Sequence, residues 1–190
     1  MRGEVLLLTR NVKIDAEDIE SWGGQIVITD TIEPDGKMRL GHAIFDNVEI
    51  YNCSQIDTFK GALRFEGASE AWSQVTNSAI HSGYAWGIVV KTSSNILIQN
   101  NIIWGFRPIG VGIMSSKNIT FDNNVIGHVV DRTTVEAGDQ FVDKSAGVSI
   151  CAYFEPDDTC ENIQVTNNLA GGVVYAGFVG AIAHTCGDTT

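Results

Sequence analysis

Nowhere do apolar residues run for the roughly 20 positions that a transmembrane helix needs, although 44% of the chain is apolar. No membrane span is therefore expected. Basic residues are scarce, with 12 Lys and Arg against 23 Asp and Glu, a net charge of -11. Binding of phosphate backbones rests on Lys and Arg surfaces, so this balance argues against nucleic acid as a partner. The four cysteines, Cys53, Cys151, Cys160 and Cys186, contain no Cys-x-x-Cys pair, which removes the usual zinc spacing. No EF-hand loop and no glycine-rich phosphate loop occurs. No metal and no cofactor is expected. No signal peptide pattern is visible, since Met1-Arg2-Gly3-Glu4 leads straight into a strand-like run. Prolines number only 3, against 20 glycines, a composition suited to many tight corners.

What the chain has instead is a recurring phrase. Asn95-Ile96-Leu97-Ile98-Gln99-Asn100-Asn101-Ile102-Ile103 returns as Asn118-Ile119-Thr120-Phe121-Asp122-Asn123-Asn124-Val125-Ile126. It returns again as Asn162-Ile163-Gln164-Val165-Thr166-Asn167-Asn168-Leu169-Ala170. Asn77, Asn100 and Asn123 are 23 residues apart, and Asn167 follows 44 later. Self-similarity at such a period marks stacked units. Apolar residues alternate within each phrase, and β-branched residues dominate, so the units are strands rather than helices. The expected fold is all-β: a right-handed parallel β-helix of about five to seven coils, one domain over residues 1–190, with repeats counted from residue 41. Alternation places Ala43/Phe45, Ser73/Val75, Ile96/Ile98, Ile119/Phe121 and Ile163/Val165 inside, with Ile50, Ile80, Ile103 and Ile126 after the turn. Asparagine tolerates the left-handed backbone of a corner, and stacked amides can bond to one another. Asn77, Asn100, Asn101, Asn123, Asn124, Asn167 and Asn168 are thus expected to form a turn ladder. The excess in the last gap places an inserted, exposed loop at residues 131–144.

Candidate binding residues interrupt the repeat. Tyr84, Trp86 and Trp104 lie in the loops of successive coils, where aromatic faces could hold sugar rings. Arg107 beside them suits a carboxylate, and His81 could act as an acid or base in a groove. The acidic residues gather in the insertion and the Glu155–Asp158 turn rather than on aligned positions of neighbouring coils, which points to solvated loops. Cys160 and Cys186 flank the last coil and could close it as a disulfide, with Cys151–Cys160 the competing pairing. Cys53 fits an inert buried thiol. Asn52-Cys53-Ser54 and Asn118-Ile119-Thr120 match the glycosylation acceptor pattern, and Asn118 also fits a turn.

The segment Glu4-Val5-Leu6-Leu7-Leu8-Thr9-Arg10-Asn11-Val12-Lys13-Ile14 resembles a strand of the fibrocystin and fibrocystin-L family, large extracellular receptors with parallel β-helix repeats. Asn47-Val48-Glu49-Ile50-Tyr51, Ser78-Ala79-Ile80-His81-Ser82-Gly83 and the ending Cys186-Gly187-Asp188 extend the likeness over nearly the whole chain. It implies a fragment of a larger extracellular or cell-surface protein. The same superfamily holds hyaluronan-degrading enzymes, whose corresponding coils carry His-[Ser/Thr]-x-x-Arg and then Gly-His-Cys. Here those places read His81-Ser82-Gly83-Tyr84-Ala85 and Pro108-Ile109-Gly110-Val111, so no catalytic residue carries over. The sequence thus points to a non-catalytic module for adhesion or recognition, with a glycan or an extracellular protein as partner. A polysaccharide lyase or hyaluronidase-like hydrolase is the alternative.

Overall fold

The computed structural model describes residues 10–17, 20, 22–56, 58–130, 145–151 and 159–180. These residues wind through three parallel sheets in turn. The first sheet stacks Val12–Asp15, Val48–Tyr51, Ala79–His81, Ile102–Phe106, Val125–Val129 and Leu169–Val173. The second stacks Ile26–Ile28, Leu63–Glu66, Ile88–Lys91, Ile109–Met114, Ala146–Ile150 and Ala176–Gly180. The third holds Ile44–Asp46, Ser73–Thr76, Ser94–Gln99, Lys117–Asp122 and Glu161–Thr166. Every pairing in them is parallel, as a coil stacked on its own next turn requires.

The register follows the repeat. Ile96 pairs with Ser73 on one side and Ile119 on the other, and Ile119 pairs with Ile163. Ile50, Ile80, Ile103 and Ile126 form one continuous inward column, each fully buried. A second column runs through Leu63, Ile88, Val111 and Val148. A single coil has one apolar side and nothing to cover it, so neighbours stabilise one another through these columns. The stack also begins earlier than residue 41. Val12–Asp15 already lies in register on Val48–Tyr51, and Ile26–Ile28 on Leu63–Phe65. Asn11 stands before Val12 as Asn47 stands before Val48, but no paired asparagines and no 23-residue spacing mark these segments, so the repeat alone does not reveal them. The turn-rich excursion after residue 30 closes as a small antiparallel ribbon, Thr31–Ile32 on Met38–Arg39.

The three corners differ. From third sheet to first, the chain always passes through a residue with positive φ: Asn47, Asn77, Asn100, Asn123 or Asn167. From second sheet to third, the short corners are Thr92-Ser93 and Ser115-Ser116. There the hydroxyls of Ser93 and Ser116 stack. The amide of Ala68 donates to Ser93 Oγ and that of Ser93 to Ser116 Oγ, each at 3.1 Å. From first sheet to second, the corner varies most. Phe106 is followed almost at once by Ile109, whereas Tyr51 is separated from Leu63 by a long excursion. Residues 131–144, the expected insertion, fall in this corner and outside the described residues.

The cysteine pairing corrects one expectation. Cys151 is bonded to Cys160, with Cα atoms 6.2 Å apart; Cys160 is therefore not joined to Cys186, which lies outside the described residues. The reason is geometric. Ile150 ends a second-sheet strand and Glu161 begins a third-sheet strand, with Glu161 in register beside Lys117. Cys151 and Cys160 thus stand at the neck of a corner that other coils cross directly. Closing this nine-residue separation restrains the unfolded chain by about 2–3 kcal/mol in the loop-entropy picture. Cys53 is a free, buried thiol, pushed up to about 11 by burial and then by the charge of Asp15, so it stays protonated and unreactive near neutral pH.

Candidate functional site

The site lies where the first sheet bends toward the second. Outward positions of the first sheet carry a column in register: Asp15, Tyr51, His81, Trp104 and then Gly127. Gly127 is small for a reason. A Cβ there would overlap the Trp104 ring, which lies over it. One position further along each strand the backbone turns to positive φ at Ser82, Gly105, His128 and Gly172. This aligned bend tilts the following residues outward and opens a groove of about 480 Å³ across four successive coils, within the range of small-ligand sites.

Ser82, Gly83, Tyr84, Trp104, Gly105, Phe106, Arg107, His128, Ile56 and Val130 line it. Phe106 is fully buried and makes the floor. Trp104 is half-buried, and its ring runs nearly parallel to that of His128, 15° between planes and 6.2 Å between centroids. The backbone amide of Arg107 donates to Ala85 O at 2.9 Å, while its guanidinium is exposed. No carboxylate lines the groove among the described residues, and none of their His, Cys, Asp and Glu side chains gather into a group that could hold a metal ion.

Three of the residues expected to bind a ligand, Tyr84, Trp104 and Arg107, meet in this groove. Two do not. Trp86 is 1% exposed and is a packing residue. It covers Gly112, where a Cβ would strike its ring, and meets Phe59 edge-on at 5.6 Å. With Val89, Ile109 and Met114 it forms a separate apolar cluster on the outside of the second sheet. His81 stands beside the groove but faces away. Its ring stacks on Tyr51 at 5.6 Å, Nε2 meets Glu49 Oε1 at 3.2 Å, and Nδ1 shares a hydrogen bond with Ser82 Oγ at 3.0 Å. His128, missing from the expected set, was legible in the period: Ser82, Gly105 and His128 are 23 residues apart.

Glu49 anchors this neighbourhood. It is almost fully buried, yet its carboxylate takes the Arg10 amide at 3.0 Å, the Lys13 ammonium at 3.1 Å and the His81 imidazole. Burial pushes its pKa up. These donors outweigh burial and hold it below the ordinary glutamate value. A lowered folded-state pKa means the ionised form stabilises the fold fully above the unfolded value of about 4.3. That contribution is lost as pH falls through the lower folded value. Glu49→Gln is therefore expected to flatten the acid limb of stability below about pH 5. Urea midpoints measured against pH check this, and equal acid slopes in both proteins would count against it.

The asparagine pairs divide their work. The second of each pair points inward. Asn124 Oδ1 accepts from the amide of Asn101 at 2.9 Å and from its Nδ2 at 3.0 Å, and Asn168 Oδ1 does the same for Asn124. Ser78 takes the place one coil earlier, its amide donating to Asn101 Oδ1 at 2.9 Å. The first of each pair lies outside, with Asn123 Nδ2 donating to Asn100 Oδ1 at 2.7 Å and Asn100 Nδ2 to Asn77 Oδ1 at 3.3 Å. Asn167 donates instead to Asp122. Another exposed ladder joins Asn95, Asn118 and Asn162, so the Asn118 amide is engaged in architecture. Its Nδ2 bonds to Asn95.

Stacked parallel rungs with inward apolar columns and amide-lined corners define a parallel β-helix. Residues 9–181 match the family described as the right handed beta helix region, and the chain belongs to that family. Among curated proteins it is similar to fibrocystin from Mus musculus, 27% identical over 126 residues, and to fibrocystin from Canis lupus familiaris, 30% identical over 127. Each match covers 66% of this chain and 3% of the relative, so the chain is a fibrocystin-like β-helix region spanning a small part of those proteins' length. No solved structure matches it. Among the described residues no helix is long and apolar enough to cross a membrane.

Proposed function

We propose that this region is an extracellular recognition module that binds carbohydrate in the groove and does not transform it. The observation that carries the reading is the convergence of Tyr84, Trp104, Arg107 and His128 on one open groove of about 480 Å³. Aromatic faces supply broad apolar contact with polar edges, and a few polar groups around them fix orientation. Sugar rings offer the matching surface, an apolar face rimmed by hydroxyls. The extracellular setting rests on similarity to fibrocystin and agrees with a disulfide, which persists in oxidising compartments.

A second reading, a carbohydrate-active hydrolase or lyase, draws on the hydrogen-bonded chain Ser82–His81–Glu49 beside the groove. One experiment separates the two. Oligosaccharides retained on an immobilised glycan panel are incubated with the protein, and new reducing ends and unsaturated products are measured. Retention without turnover, abolished by Trp104→Ala, is the expected result. Turnover that disappears in His81→Gln would establish the enzyme instead, and no retention of any glycan would refute the carbohydrate reading.

A further inference from the structure

The groove's electrostatics narrow the ligand class. The chain as a whole is acidic, at -11, so an exposed cation with no ion-pair partner among the described residues is out of keeping with its surroundings. Arg107 is such a group. Its backbone is pinned to Ala85, its side chain is exposed at the groove, and it forms no salt bridge among the described residues. Two other described basic side chains near the first sheet are engaged. Lys13 pairs with Glu49, and Arg10 donates from Nε to Asn77 O at 2.8 Å. Around Arg107 the described lining offers ring faces, the Ser82 hydroxyl and the His128 imidazole, but no carboxylate.

We propose, building on the carbohydrate reading above, that the groove selects acidic saccharides and that Arg107 receives their carboxylate. A guanidinium presents two parallel N–H donors that match the two oxygens of a carboxylate. Trp104 offers the ring surface beside it, and Ser82 and His128 offer hydrogen-bonding groups to hydroxyls. The fixed backbone of Arg107 limits the freedom lost when the pair forms. A neutral sugar would meet the same aromatic surface and leave the guanidinium solvated, so it would bind more weakly.

The test uses the full 190-residue chain and two probes differing at one group: a uronic-acid tetrasaccharide and its carboxyl-reduced, neutral counterpart. Calorimetric titration is expected to show the acidic probe binding about tenfold or more tightly, as a charge-assisted pair implies. Arg107→Gln is expected to erase that preference, so that the variant no longer distinguishes the acidic probe from the neutral one. Arg107 is exposed, so the variant should fold normally, and an unchanged thermal melt confirms it. Equal affinity for the two probes, or an acidic preference that survives in Arg107→Gln, overturns the role of Arg107 while the carbohydrate reading stands. Failure to bind either probe overturns the acidic-saccharide class. The immobilised-panel result then decides whether the broader reading fails with it.

Discussion

Asn124→Leu is expected to lower stability by about 3 kcal/mol or more, while Asn123→Ala costs about 1 kcal/mol or less. The two residues are adjacent and chemically identical, so position alone sets the difference. Asn124 is 1% exposed. Its carbonyl satisfies two donors of Asn101, and its amide donates to Ile98 O at 3.0 Å and to Asn168 Oδ1. Leucine fills similar space but leaves the Asn101 amide, the Asn101 side chain and the Ile98 carbonyl without that partner. Each buried orphan costs roughly 1–3 kcal/mol. Asn123 is exposed and makes one side-chain bond along its ladder. Alanine there loses that bond and accepts a modest penalty for its positive φ of 51°. Urea unfolding decides the matter: a midpoint shift in Asn123→Ala as large as in Asn124→Leu, at unchanged m-value, would show that the inner ladder has no special weight.

The two tryptophans should separate in the opposite senses for stability and binding. Trp86→Ala removes a fully buried ring and exposes the cavity over Gly112, with an expected cost of about 3–5 kcal/mol. Its effect on ligand affinity should be small under conditions where the variant is folded. Trp104→Ala removes a half-buried ring from the groove wall. It should cost less than about half as much stability, since partial burial scales the apolar term, yet eliminate retention on the glycan panel. Thermal melts and binding measured on both variants give four numbers. Binding lost in Trp86→Ala and kept in Trp104→Ala would move the site to the second sheet.

The architecture was readable because its physics is local and repeated. Ile96, Ile119 and Ile163 recur at matched offsets, alternation decides which side they face, and the stacked asparagines mark the corner. The site was only half readable. Trp86 and Trp104 look equivalent in sequence, both aromatic and both in loops. They are not a repeat length apart, and they stand in different columns: one over Gly112 of the second sheet, the other over Gly127 of the first. Aligning on the period separates them and brings in His128, which residue type alone leaves among scattered histidines. The orientation of His81 toward Glu49 depends on a contact 32 residues away, and no local pattern encodes it. The disulfide is decided by how closely the strands on either side of one corner return, a tertiary fact with only a short sequence separation as its trace.

The uneven corner between first and second sheets has a consequence for how such a protein can change. A one-residue insertion inside a rung would turn its apolar side chains outward, and the stack would reject it. The same insertion in that corner displaces only what hangs from the scaffold, as the differing spans from Tyr51 to Leu63 and from Phe106 to Ile109 already show. The groove takes Ile56, Tyr84, Arg107 and Val130 from this corner. The shape of the groove can therefore change by lengthening, shortening or exchanging corner segments while the inward columns stay intact. Transplanting one coil's corner onto another is the corresponding engineering step, and a whole 23-residue turn is the natural unit for adding a new wall to the groove.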